Sequence, residues 1–234
     1  MKTAWKWIVA VSWVVFAAVA EAGETVELFN GTDLTGWQVK GSPEKSLWTV
    51  GTASLKTGDP RQIAVAPGGS ELINAGSHGL DLYCDAKFGD ARIELEVMVP
   101  KGSNSGIYVM GEYEIQVLDS FGKGDDLGMG DMGAIYSFAV PRKNACKAPG
   151  QWQQFVIEYL APRFNAAGNK TANARILKVT LNGETIHENV ELTKQTPGGV
   201  AGKESAEGPL MFQGNHGPVA YRNIKITPLS ARHR

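Results

Sequence analysis

Gly111-Glu112-Tyr113-Glu114-Ile115-Gln116-Val117-Leu118-Asp119 alternates polar and apolar side chains with period two. Successive side chains on a β-strand point to opposite faces, so the pattern predicts a strand. Tyr113, Ile115 and Val117 would press one face into a core. Glu112, Glu114 and Gln116 would project together from the other. Two carboxylates and an amide in one row are costly to bury. The row is either an ordinary solvated face or, if it lines a cleft, a surface suited to a polar, hydroxyl-rich ligand such as a sugar.

The same period recurs along the chain. Ile93, Leu95, Val97 and Val99 alternate with Arg92, Glu94, Glu96 and Met98, and Phe155, Ile157 and Tyr159 alternate with Val156 and Glu158. Ile176, Val179 and Leu181 lead into Asn182-Gly183, a pair that tolerates positive φ and marks a hairpin. Val219–Thr227 reads as a last strand. No long segment has helical periodicity, so the fold class expected is all-β: a two-sheet antiparallel sandwich, or jelly roll. Loops are expected at Lys56–Pro67, Phe121–Gly133, Pro141–Gly150, Pro162–Asn173 and Thr193–Glu207. Loops of such length in a compact domain are often functional.

The first 22 of the 234 residues have the form of an export signal. Lys2 and Lys6 supply positive charge, Trp7–Ala20 is apolar, and Ala20-Glu21-Ala22 fits a small-x-small cleavage site. The run is short for a membrane span of about 20 apolar residues. Cleavage after Ala22 is expected, with Ala20 a second position. The product would be periplasmic or extracellular, without a stable membrane span, and residues 23–234 would form one domain. Lys+Arg 23 against Asp+Glu 24 gives no reason to expect nucleic acid. Two cysteines, Cys84 and Cys146, do not make a disulfide framework, though export would permit a bond between them. Asp125, Asp126 and Asp131 lie in a Gly-rich loop whose spacing is not that of an EF-hand, so turn roles are favoured over calcium. His78, His187 and His233 read as surface residues.

Four segments form a set: Leu28-Phe29-Asn30-Gly31-Thr32-Asp33-Leu34-Thr35-Gly36-Trp37, Gly102-Ser103-Asn104-Ser105-Gly106-Ile107-Tyr108, Tyr113–Asp119, and Gly208-Pro209-Leu210 through His216-Gly217-Pro218 to Ile224. In this order they resemble the 3-keto-disaccharide hydrolase family, with 3-keto-glucoside 1,2-lyase/3-keto-2-hydroxy-glucal hydratase domains. The resemblance runs from Val26 to Leu229. It implies a concanavalin A-like jelly roll with a sugar-binding concave face, and exported proteins that process oxidised glycosides. A C3 ketone acidifies the C2 proton of a glucoside. A base removes it, an enolate forms, the C1 substituent leaves, and water adds to the resulting glucal. The route needs a base, stabilisation of the enolate oxygen and a proton donor. No cofactor is certain; a divalent metal could bind the C3 oxygen, but the sequence specifies no ligand set.

Within that reading Glu114, mid-strand on the polar face, is the first candidate for base or metal ligand. His216, an imidazole in a Gly-rich turn, is the second catalytic candidate. Gln116, Glu112, Arg222, Asn104 and Tyr108 are candidate substrate-binding residues for a 3-keto-glycoside. Asp119 has the opposite parity to Glu114 and is expected to cap a turn. Tyr108, Tyr136, Trp48 and Trp152 are the aromatics open to a sugar, though most aromatics in a sandwich fill the core. Two other readings stand beside this one. A conventional glycosidase could use Glu112 and Glu114, since residues two apart on a strand, about 6.6–6.8 Å, span both retaining and inverting carboxyl separations. A non-catalytic carbohydrate-binding module would use the same face.

Overall fold

A computed structural model describes residues 23–230. The expected export signal, residues 1–22, and His233 lie outside them. Fifteen strands occur among the described residues: β1 (Val26–Glu27), β2 (Trp37–Val39), β3 (Trp48–Lys56), β4 (Asp59–Asn74), β5 (Leu82–Cys84), β6 (Ala91–Met98), β7 (Asn104–Val109), β8 (Tyr113–Leu118), β9 (Trp152–Leu160), β10 (Arg163–Phe164), β11 (Lys170–Ala172), β12 (Ala174–Leu181), β13 (Glu184–Leu192), β14 (Met211–Phe212) and β15 (Val219–Pro228). The one helical turn described is the 3-10 piece Pro43–Lys45. No described helix is long and apolar enough to cross a membrane.

The strands form a two-sheet antiparallel sandwich of jelly-roll type. The large sheet runs β13-β12-β9-β6-β15-β4-β3, with β1 added on β15; the small sheet runs β2-β5-β14-β7-β8; β10 and β11 form a separate hairpin. Inward residues of both sheets build one core. Ile93, Leu95 and Val97 meet Phe155, Ile157 and Tyr159 on the large sheet, and Ile107, Val109, Tyr113, Ile115 and Val117 face them from the small one. Each such side chain stabilises the fold by about 1.5–3 kcal/mol when fully buried. Phe212 of β14 and Tyr221 of β15 stack across the sandwich at 3.8 Å between centroids, with Trp37 against Phe212 at 5.5 Å. The β12–β13 hairpin turns at Asn182 (φ 53°) and Gly183 (φ 85°), as the sequence pattern predicts.

Four expectations change. Lys56–Pro67 is not a loop: β4 starts at Asp59, directly after the turn at Thr57-Gly58, and its long ladder with β3 lies at a sheet edge where exposure hides the apolar signal. Pro162–Asn173 holds the β10–β11 hairpin. Cys84 and Cys146 are both free: Cys84 is buried in the core beside Leu210, while Cys146 sits in the 141–150 loop. His187 is 3% exposed, with Nε2 2.8 Å from the Gly133 carbonyl, so it is a core histidine rather than a surface one. Burial holds its pKa below the ordinary value.

Candidate active site

β8 is the outer strand of the small sheet rather than a central one, yet its free edge is covered. The segment Gly133–Tyr136 pairs with it: Gln116 N–H donates to the Ala134 carbonyl, Gly133 N–H to the Gln116 carbonyl and Tyr136 N–H to the Glu114 carbonyl. This closes an edge that would otherwise expose unpaired amides. It also delivers Tyr136 beside Glu114.

On the face of the small sheet turned away from the core, Asn104, Tyr108, Glu114, Gln116, Tyr136, Pro197, Gly198, Gln213 and His216 enclose a pocket of about 210 Å³. Glu114 is 4% exposed, and its carboxyl lies over Gly106, its cross-strand diagonal neighbour; a Cβ at 106 would collide with Glu114 Oε1. That is the physical reason for glycine in Asn104-Ser105-Gly106. Gln116 Nε2 donates to Asn104 Oδ1 at 3.1 Å, which orients both carboxamides along one wall. The opposite wall is the Gln213–Gly217 turn, held by Asn74, a fully buried residue whose Nδ2 donates to the carbonyls of Gly214 (2.7 Å) and Gly217 (3.1 Å). His216 stands exposed at the mouth with Nδ1 bonded to Asn215 Oδ1.

Burial pushes the Glu114 carboxyl up to about 7 from its ordinary 4.5; a hydrogen bond with Tyr108 opposes the shift and the charge of Asp81 adds to it. Burial, followed by the charge of Glu114, also raises the Tyr108 phenol, so Tyr108 keeps its proton. That single proton has two possible acceptors. Tyr108 donates to the Pro197 carbonyl at 3.0 Å. A protonated Glu114 can then donate to the Tyr108 oxygen, whereas an ionised Glu114 competes with Pro197 for the phenol proton. The phenol proton can thus turn toward Glu114 when the carboxyl ionises and stabilise the carboxylate that forms.

The loop Thr193–Glu207 forms the roof. Thr196 Oγ1 accepts the Glu114 N–H (3.0 Å) and donates to the Glu112 carbonyl (2.9 Å). Gly198, at φ 90°, lies so near Tyr108 that a Cβ would stand 2.7 Å from the phenol oxygen. The loop therefore separates Glu112 from Glu114. Glu112 precedes the ladder, after the left-handed pair Met110 (φ 55°) and Gly111 (φ 70°), and its Oε1 accepts the Ala201 N–H at 2.7 Å. It lines a neighbouring hollow with Gln38, Lys87 and Lys203, so it does not share the Glu114 pocket. Two carboxyls in different hollows do not flank one glycosidic bond.

Arg222 is also elsewhere. It projects from the outer face of the large sheet, across the core from the pocket. There Nε donates to Glu96 Oε2 (2.5 Å), the guanidinium approaches Glu71 (3.4 Å), and it stacks over Trp152 at 4.1 Å. The parity of β15 sends Tyr221 inward and Arg222 out, and a bulge at Asn223 (φ 52°) keeps it there. Trp152 is thereby engaged, and Trp48 is buried with Nε1 on the Leu80 carbonyl (2.6 Å), so of the four aromatics Tyr108 and Tyr136 line the pocket. Asp119 caps the turn as expected, accepting Gly102 N–H at 2.9 Å. Asp131 ties its loop through Ser120, Lys123 and Gly128 N–H. Asp81, Thr196, Gly198 and Gln213 went unassigned in the sequence; their segments lie far from β8 in the chain, and only the turn around Gln213 carried a motif.

Among the described residues no three His, Cys, Asp or Glu side chains converge as a metal site. The pocket offers one carboxyl poised near neutrality, one imidazole and three carboxamides. Glu114 is the one carboxylate lining the pocket, so a divalent ion there would depend on neutral carboxamide oxygens and the His216 imidazole for its other ligands.

Three crystal structures from Parabacteroides distasonis ATCC 8503, each of a candidate glycosyl hydrolase, share the architecture. The first is 27% identical, with a TM-score of 0.69, covering 88% of this chain and 84% of that one. A second is 18% identical at a TM-score of 0.60, covering 89% and 94%, and a third 20% identical at 0.57, covering 88% and 100%; these two show the fold alone. No curated protein sequence matches the chain. Residues 24–227, spanning both sheets and the pocket between Asn104 and His216, match the family described as the 3-keto-alpha-glucoside-1,2-lyase-like domain, and the chain belongs to that family.

Proposed function

We propose that this protein is an exported carbohydrate-active enzyme that cleaves the glycosidic bond of 3-keto-glycosides by elimination, followed by hydration. The observation that carries the reading is the buried Glu114 carboxyl, with a pKa near 7, in a pocket otherwise walled by carboxamides, phenols and one imidazole. A base is most effective when its pKa lies near the working pH. The substrate's C3 ketone makes C2–H acidic enough for such a base. Family membership and the glycosyl-hydrolase neighbour support a sugar as ligand.

Glu114 takes the C2 proton, and the C2–H electron pair becomes the enolate. The free N–H groups of Gln116, Asn104 and Gln213 meet the enolate oxygen and ring hydroxyls. The C1–O bond then breaks and the leaving oxygen takes a proton from His216 at the mouth. Water adds across the C1–C2 double bond to give 3-keto-glucose, with the proton on Glu114 returned to C2. About 210 Å³ is small beside the roughly 300–1,000 Å³ of pockets for drug-sized ligands, which suits one sugar ring with its aglycone outside.

The test is product analysis after incubating the mature protein with a 3-keto-disaccharide and with its unoxidised parent. Release of 3-keto-glucose from the first alone supports the reading. Equal cleavage of the parent points to a conventional glycosidase, and binding without cleavage of either points to a carbohydrate-binding module. Export is tested separately, by N-terminal sequencing of the secreted product, which should begin after Ala22 or Ala20.

A further inference from the structure

Behind the pocket lies an ion pair that the sequence did not single out. Lys40 directly follows β2 and Asp81 directly precedes β5, and Lys40 N–H donates to the Asp81 carbonyl at 2.8 Å. Lys40 Nζ stands 3.7 Å from Asp81 Oδ2 and donates to the carbonyls of Gly198 (2.6 Å) and Gly199 (2.8 Å). Asp81 Oδ1 accepts the Gly214 N–H at 3.1 Å. One arm of the pair thus holds the roof that presents Pro197 to Tyr108. The other holds the turn that presents Gln213 and His216.

We propose that Lys40 and Asp81 are a positioning pair for the Glu114 site, clamping its two walls together and setting the field in which Glu114 gains and loses its proton. The proposal rests on the reading of Glu114 as the base, and it deepens that reading. Asp81 is 10% exposed at its side chain, so its charge acts on Glu114 through protein rather than water, where attraction and repulsion are less screened. Both the Glu114 carboxyl and the Tyr108 phenol are raised by the Asp81 charge. Lys40, 3.7 Å from Asp81 Oδ2, carries the opposite charge and on this proposal offsets part of that field.

The other titratable and charged groups facing the pocket are Tyr108 on β7, Tyr136 on the covering segment and His216 in the turn. Glu112 lies beyond the roof. None of them joins both walls. Lys40 and Asp81 do, and neither lines the Glu114 pocket, which makes them positioning residues rather than catalytic ones.

The experiment follows the Glu114 carboxyl by NMR in protein labelled at the glutamate side-chain carbon, with Glu114→Gln identifying the resonance, alongside the pH profile of kcat/KM. Asp81→Asn removes the like charge and should move the Glu114 titration to lower pH. Lys40→Met leaves Asp81 less compensated and should move it to higher pH. The acid limb of kcat/KM should follow in the same two directions, and Lys40→Arg should restore it. A merely structural pair would lower activity in both variants without opposite shifts. Titrations moving in the same direction, or not at all, would overturn the proposal. Opposite shifts in the NMR titration without cleavage of any 3-keto-glycoside would leave the pair's role standing and sink the proposed reaction instead.

Discussion

Glu114→Gln should make the protein more stable at high pH, relative to wild type, than at low pH. The folded-state carboxyl titrates at about 7, above its ordinary 4.5. Between those values the native state binds a proton that the unfolded chain has released. The unfolded state then carries fewer protons, so the contribution of Glu114 to stability falls as pH rises through that window and levels off above it. Moving a carboxyl from 4.5 to about 7 corresponds to a cost on the order of 3 kcal/mol for the ionised form. Glutamine cannot ionise and escapes that cost. For a domain of this size 1 kcal/mol moves Tm by about 2–4 °C, so the gap between variant and wild type should widen by roughly 6–12 °C from pH 4.5 to pH 8. Thermal unfolding of both proteins at matched ionic strength measures it. Comparing the gap at two pH values cancels any constant effect of the amide. A gap that stays the same across the window would refute the claim that Glu114 is a buried acid ionised at the expense of the fold.

Two substitutions separate the pocket from its surroundings. Gly106→Ala places a Cβ against Glu114 Oε1; a displacement of about 1 Å can cost about 10²-fold, so kcat on a 3-keto-disaccharide should fall by roughly that factor with the protein still folded by circular dichroism. Arg222→Ala should leave kcat/KM within about twofold and lower stability by about 1 kcal/mol in urea unfolding, because it loses the Trp152 stack and leaves Glu71 and Glu96 without their cation.

The β-sandwich was legible because its inner strands bury one face each. Ile93 to Val97 and Phe155 to Tyr159 alternate cleanly, and Asn182-Gly183 marks its own turn. β4 was not legible: Pro60, Gly68 and Gly69 interrupt it, and most of its first half is exposed at the edge of the sheet, where composition no longer reports pairing. In the site, parity placed Glu114 and Gln116 together, and motif order added Asn104, Tyr108 and His216. Parity failed for Glu112 because two left-handed residues precede it and the strand begins only at Tyr113. It was silent for Arg222, since a strand pattern gives alternation but not which face of which sheet meets the pocket. Lys40 and Asp81 escaped notice for a related reason. Each is an isolated charge beside a three-residue strand, and only the pairing of β2 with β5 brings them together.

The most direct measurement uses a 3-keto-disaccharide carrying deuterium at C2, with wild type and Glu114→Gln compared on labelled and unlabelled substrate. Removal of that hydrogen by Glu114 predicts a primary isotope effect on cleavage by wild type and loss of cleavage in the folded variant. Wild-type-like cleavage by Glu114→Gln would contradict the account.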